Sequence, residues 1–187
     1  GSGHLRNYVR SSTDDPAAID VAEMVRASEE GQIVMTNGPY LEVTAREIGG
    51  AGEAHPAGPG QDLTARSGKV AVSIRVQCPN WLDVNRVQIF VNGRARPELN
   101  FTRPTDRDKF RAGVVKFDET VVVSLAEDAH LIVATIGEGL QLGRVYGEER
   151  GKAQPTAVAN PIYVDVEGNG FDANGDDLGV PLPTPPE

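Results

Sequence analysis

The chain has 187 residues, of which 39% are hydrophobic, 24% charged and only 5% aromatic. That is enough for one domain with a core of Val, Ile, Leu and Ala. The net charge of −9 makes phosphate backbones and anionic lipid surfaces unfavourable partners, so neither nucleic acid nor membrane is expected. One cysteine, Cys78, excludes an intrachain disulfide and leaves the compartment unspecified. No apolar run reaches the length of a membrane span, and any export signal of a parent protein is expected upstream.

In chain order, residues 5–10 alternate large and polar side chains and predict a short strand. A turn cluster over 11–15 leads into the one predicted helix, residues 16–30. Asp15 can cap it with Pro16 at its first position. Asp20 offers a second start, with Glu23 three residues later as in a capping box. Ile19 or Val21, with Met24 and Val25, gives a narrow apolar stripe, and Gly31 supplies the stop. From there the hydrophobic period becomes two. Strands are predicted over 33–36, 40–45, 70–76 and 86–91, with a loop over 49–60. Asn92-Gly93 after the last of these is a hairpin signal, because both residues tolerate positive φ.

Residues 98–111 read as polar and irregular. One or two strands are expected across 114–125. The apolar run 131–136 predicts a central strand buried on both faces, and 137–157 a long exposed loop. Residues 162–166 form the last predicted strand. About eight strands with frequent turns and one helix indicate a mainly β fold, an immunoglobulin-like sandwich. Residues 1–31 are expected to be an arm from an upstream domain, 32–166 the sandwich, and 167–187 an acidic, Pro-rich tail. From Tyr163 onward the chain carries six acidic residues and no Lys or Arg.

Chemistry-bearing motifs are few. The three histidines, His4, His55 and His130, form no His-x-His or HExxH pair. Asp128-Ala129-His130 would place two ligands on one face of a strand; the plain alternative is a polar pair leading into a buried run. Cys78, before Pro79, reads as a small buried residue rather than a nucleophile. Gly137, Gly139 and Gly143 do not match the dinucleotide fingerprint. Asn100-Phe101-Thr102 fits a glycosylation acceptor and reads as a loop. Trp81, the only tryptophan, could offer a sugar-stacking platform but is expected to cover the end of the core.

The most specific motif spans residues 165–176. Asp165, Glu167 and Asn169 hold positions 1, 3 and 5 of a calcium loop, Gly170 holds the turn position, and Asp176 holds position 12. Hard cations need several oxygens on a tightly turning backbone, and this spacing offers them. Asp at position 12 and the lack of flanking helices separate it from an EF-hand. The alternative is a solvated Asx-rich turn.

Residues 5–9, the helix, and then Gly31 through Thr36-Asn37-Gly38-Pro39-Tyr40-Leu41 together resemble the segment that follows the catalytic domain in PHP-domain (polymerase and histidinol phosphatase type, carbaryl-hydrolase-like) metallohydrolases. Val91-Asn92-Gly93-Arg94 and the stretch 159–165 look like later strands of that family. The resemblance implies that the metal-binding residues lie in a barrel upstream, so no catalytic residue carries over. It implies a non-catalytic accessory or interaction domain, its partner the upstream catalytic domain of the same polypeptide. The rival expectation is a free-standing carbohydrate-binding-like module. No cofactor is expected beyond the calcium considered for the acidic loop.

Overall fold

The computed structural model describes residues 5–50 and 55–180. The fold is mainly β, a sandwich of two sheets with one α-helix. The larger sheet has eight strands. These are β1 (Arg6–Val9), β2 (Ile33–Thr36), β4 (Asp62–Thr64), β6 (Arg86–Val91), β7 (Arg94–Thr102), β9 (Ala129–Ile136), β10 (Thr156–Ala159) and β11 (Ile162–Asp165). The smaller holds β3 (Tyr40–Glu47), β5 (Lys69–Gln77) and β8 (Val115–Ser124) in the order β3-β5-β8.

In the larger sheet β1 pairs β2, β2 pairs β10, β10 pairs β9, β9 pairs β6, and β6 pairs β7, all antiparallel. β10 and β11 lie end to end along one edge of β9, with Val158 opposite Ala134 and Ile162 opposite Leu131. Pro161 marks the break, since it has no N–H to donate to a ladder. β4 runs parallel to β11.

The alternation of β3 and β5, interrupted in burial only at Ala71, sends Leu41, Val43, Val70, Val72, Ile74 and Val76 inward. They meet Val87 and Ile89 of β6 and Leu131 and Val133 of β9 in one cluster. Each such side chain contributes about 1.5–3 kcal/mol by leaving water. Phe117 of β8 is fully buried between Phe101 and Phe110, at ring-centroid distances of 5.9 and 5.3 Å.

Several expectations need correction. The helix is not continuous over 16–30. Asp15 caps a 3-10 turn, Pro16–Ala18, and Asp20 separately caps α1 (Val21–Glu29), each through a carboxylate that accepts the N–H two residues on. A cap residue takes extended φ/ψ, so Asp20 stops one helix by starting the next. Glu23 accepts the N–H and hydroxyl of Ser12, both at 2.8 Å, in place of closing a capping box. Gly31, at φ 72°, ends α1 as expected: its N–H reaches the Ser28 carbonyl and that of Gln32 the Ala27 carbonyl.

Residues 98–111 are not irregular from their start, because β7 runs on to Thr102. It is an edge strand with only Leu99 buried, so its sequence carries little alternation. Pro97 falls where the β6–β7 register shifts, a place that needs no N–H. The loop 137–157 is broken by two 3-10 turns, Arg144–Tyr146 and Arg150–Lys152, and ends in β10. Strand β9 is central but buried on alternate residues only. With β4, β7 and β10 the strand count exceeds the expected eight. Asn92 and Gly93 both take positive φ, 51° and 72°, at the β6–β7 turn.

Candidate functional site

The acidic loop leaves β11 at Asp165, which is 5% exposed. One of its oxygens accepts the N–H of Gly168 and, at 3.3 Å, that of Asn169; the other accepts Gly170 at 2.9 Å. Burial pushes the Asp165 carboxyl up, but the amides of Gly170, Gly168 and Asn169, helped by the charge of Arg66, outweigh it. The net pKa lies below the usual carboxylate value. Asn169 donates its amide to Glu167 at 3.1 Å. Asp176 faces elsewhere, gripping Arg94 at the β6–β7 turn with contacts of 2.5 and 2.7 Å. That paired guanidinium holds Asp176 below the usual carboxylate value.

The spacing of Asp165, Glu167, Asn169 and Asp176 therefore does not become one ligand set. Among the described residues, no group of three or more His, Cys, Asp or Glu is placed to hold a metal ion. The same residue types that suit a cation cage also suit Asx turns, in which a side-chain oxygen accepts amides of its own backbone. The loop is also fastened to the sandwich. Asp128 accepts the N–H of Val166 and of Asp172, both at 2.8 Å, and Phe171 packs on Tyr163 at 5.1 Å. Leu178 lies so close over Gly93 that a Cβ there would meet it at 2.8 Å.

Asp128 and His130 do not act as a pair. Asp128 precedes β9 and spends its oxygens on the loop, while His130 sits opposite Tyr163. Burial lowers the His130 pKa. Cys78 is buried, and burial pushes its thiol up to about 11 against the opposing charge of Lys116. It is a protonated core residue at neutral pH. Gly137 and Gly139 belong to a turn closed by the Leu140 N–H on the Gly137 carbonyl.

Trp81 departs from expectation most. It is 65% exposed, and Leu82, 2% exposed, fills the core in its place. A turn closed by the Leu82 N–H on the Pro79 carbonyl separates the two side chains. Trp81 rims an open groove of about 380 Å³ that also takes in Arg6, Tyr8, Tyr40, Gln77 and Tyr146. Tyr8 and Tyr40 meet edge to face at 4.9 Å, and Arg6 donates to the Tyr146 hydroxyl at 3.3 Å across 140 residues of sequence. No local motif links these residues. The pairing of β1 with β2, the register of β3 on β5 that sets Tyr40 opposite Gln77, and the path of the 137–157 segment bring them together.

The second unexpected surface is α1. Of its nine residues only Ala27 is buried. Val21 is 73% exposed and Val25 50%, with Ile19 at 43% just before the helix and Met35 at 47% on β2.

Thr36-Asn37-Gly38-Pro39 is accounted for locally. The Thr36 hydroxyl donates to the Pro39 carbonyl at 2.6 Å and accepts the Gly38 N–H. Asn37 clasps the approach to β10, donating to the Gln154 carbonyl and accepting the Thr156 N–H. A side chain at Gly38 would meet Leu82 at 2.9 Å and Leu142 at 3.1 Å. In comparisons with known proteins, no family model, no curated protein and no solved structure matches the chain.

Proposed function

We propose that this chain is a non-catalytic accessory domain that packs, through its β1–α1 arm, on the catalytic domain of a PHP-type metal-dependent hydrolase. The uncovered apolar stripe of α1 carries this reading. A nine-residue helix has too few turns to be stable from propensity alone and relies on burying one face. Here Ile19, Val21 and Val25 face outward, so the stripe is complementary to a partner rather than to this sandwich. Strand β1 is itself held by four residue pairs to β2, which anchors the arm on the sandwich side.

The test is association. The chain and the protein encoded upstream of it would be produced as separate polypeptides and mixed. The expectation is a 1:1 complex by sedimentation that the double substitution V21E/V25E abolishes. Failure of the wild-type pair to associate at about 1 mM, the order of effective concentration that a short linker supplies, would overturn the proposal.

A further inference from the structure

We infer that the groove rimmed by Trp81 is a binding site for an acidic sugar unit of a glycan. This site is separate from the α1 stripe and stands whether or not the chain docks on a hydrolase. The volume, about 380 Å³, falls within the range of small-ligand clefts, roughly 300–1,000 Å³.

Three observations carry the inference. First, Trp81 is a flat apolar ring held in water. At 65% exposure it contributes little to the core, while the turn that presents it is fixed by the Leu82–Pro79 hydrogen bond and by burial of Leu82. An exposed ring on a fixed turn can stack on the apolar face of a pyranose, whose axial C–H groups point at the π-cloud. Second, hydrogen-bonding groups stand around the ring. Gln77, Tyr8, Tyr40 and Arg6 line the same groove, and side chains of these types match the dense hydroxyls of a sugar. Arg6 donates one guanidinium nitrogen to the Tyr146 hydroxyl, which holds the side chain in place along the groove.

Third, the charge is inverted relative to the protein. The chain carries −9, yet the ten residues lining the groove include one cation, Arg6, and no carboxylate. Outside the lining, the charges of Glu42 and Asp14 act on Tyr40, and Glu42 is engaged by the side-chain amide of Gln77 at 3.3 Å. A guanidinium that lines the same groove as a stacking ring suits a carboxylate attached to a ring. A uronate unit therefore fits better than a neutral hexose.

Because Trp81 is the only tryptophan, its emission reports on this groove alone. The full chain would be titrated with tetragalacturonate, with a neutral tetrasaccharide of the same length, and with a proline-rich decapeptide, which also favours aromatic grooves. The expected result is a saturable emission change with the uronate and affinity at least tenfold weaker for the neutral sugar. R6Q should weaken uronate binding tenfold or more, and W81A should abolish it by calorimetry. Both variants should keep the unfolding temperature within about 2 °C, because these side chains are not core residues. No saturable response to the uronate would overturn the inference, as would equal affinity for the neutral sugar, tighter binding of the peptide, or an unaffected R6Q.

Discussion

Replacing Asp165 tests the reading of the acidic loop as a self-contained backbone turn. The carboxylate is 5% exposed and accepts three backbone N–H groups, from Gly168, Asn169 and Gly170. Hydrogen bonds to a charged acceptor contribute about 1.5–3 kcal/mol each. Their sum overstates the loss, because Asn169 and Gly170 are exposed and their amides regain water when the acceptor goes. D165A should therefore cost about 2–3 kcal/mol, a fall in unfolding temperature of about 5–10 °C for a chain of this size. D165N keeps one acceptor oxygen and should lose less, about 1 kcal/mol.

The pH dependence comes from the lowered carboxyl pKa of Asp165. A group depressed on folding adds stability that is fully present above its unfolded value, about 3.9. That stability is lost as pH falls through the lower folded value. The gap between wild type and D165N should be constant from pH 8 to 5 and close below pH 4. Thermal unfolding by circular dichroism at several pH values measures it. A D165A variant as stable as wild type would refute the reasoning. So would a loss of stability that appears only when calcium is present, because that would make a cation, and not the turn's own amides, the partner of Asp165.

Other consequences are simpler to check. Millimolar calcium should leave the unfolding temperature of the wild type unchanged, since Asp176 is engaged with Arg94 and Asp165 with its own loop's amides; a shift of several degrees would contradict this. F117A removes a fully buried ring that touches Phe101 and Phe110 and should cost about 3–5 kcal/mol in urea unfolding. Cys78, with its thiol pushed up to about 11, should react with a disulfide reagent at pH 8 at the rate of global unfolding, and rapid labelling of the folded chain would show it accessible. G38A should destabilise by about 1–3 kcal/mol through overpacking against Leu82 and Leu142.

The sequence was a good guide where one physical signal dominated. Strands β3, β5 and β6 each bury one face, so apolar residues alternate and the period of two is plain. Asn92-Gly93 declared its turn because few residues tolerate positive φ. Strand β7 was hidden because an edge strand needs one buried contact, Leu99, and otherwise shows polar residues. The helix boundary was hidden because two good caps, Asp15 and Asp20, compete within five residues.

Site geometry was less legible still. The calcium spacing in 165–176 uses Asp, Asn and Gly, which serve a turn equally well, and nothing local reveals that Asp176 turns toward Arg94. Trp81 next to Leu82 gave no clue to which of the two enters the core. That choice depends on the neighbouring Leu142 segment and on Gly38, which leave room for Leu82. The groove draws on positions 6, 8, 40, 77, 81 and 146, which only the folded topology brings together.

Docking through α1 is the central claim. Hydrogen exchange across Val21–Glu29 tests it most directly, compared between this chain alone and a longer polypeptide that includes the residues encoded upstream. The α1 amides should exchange within seconds in the chain alone and gain at least a hundredfold protection in the longer polypeptide, with β5 and β9 unchanged. Equal exchange of α1 in the two would contradict the claim.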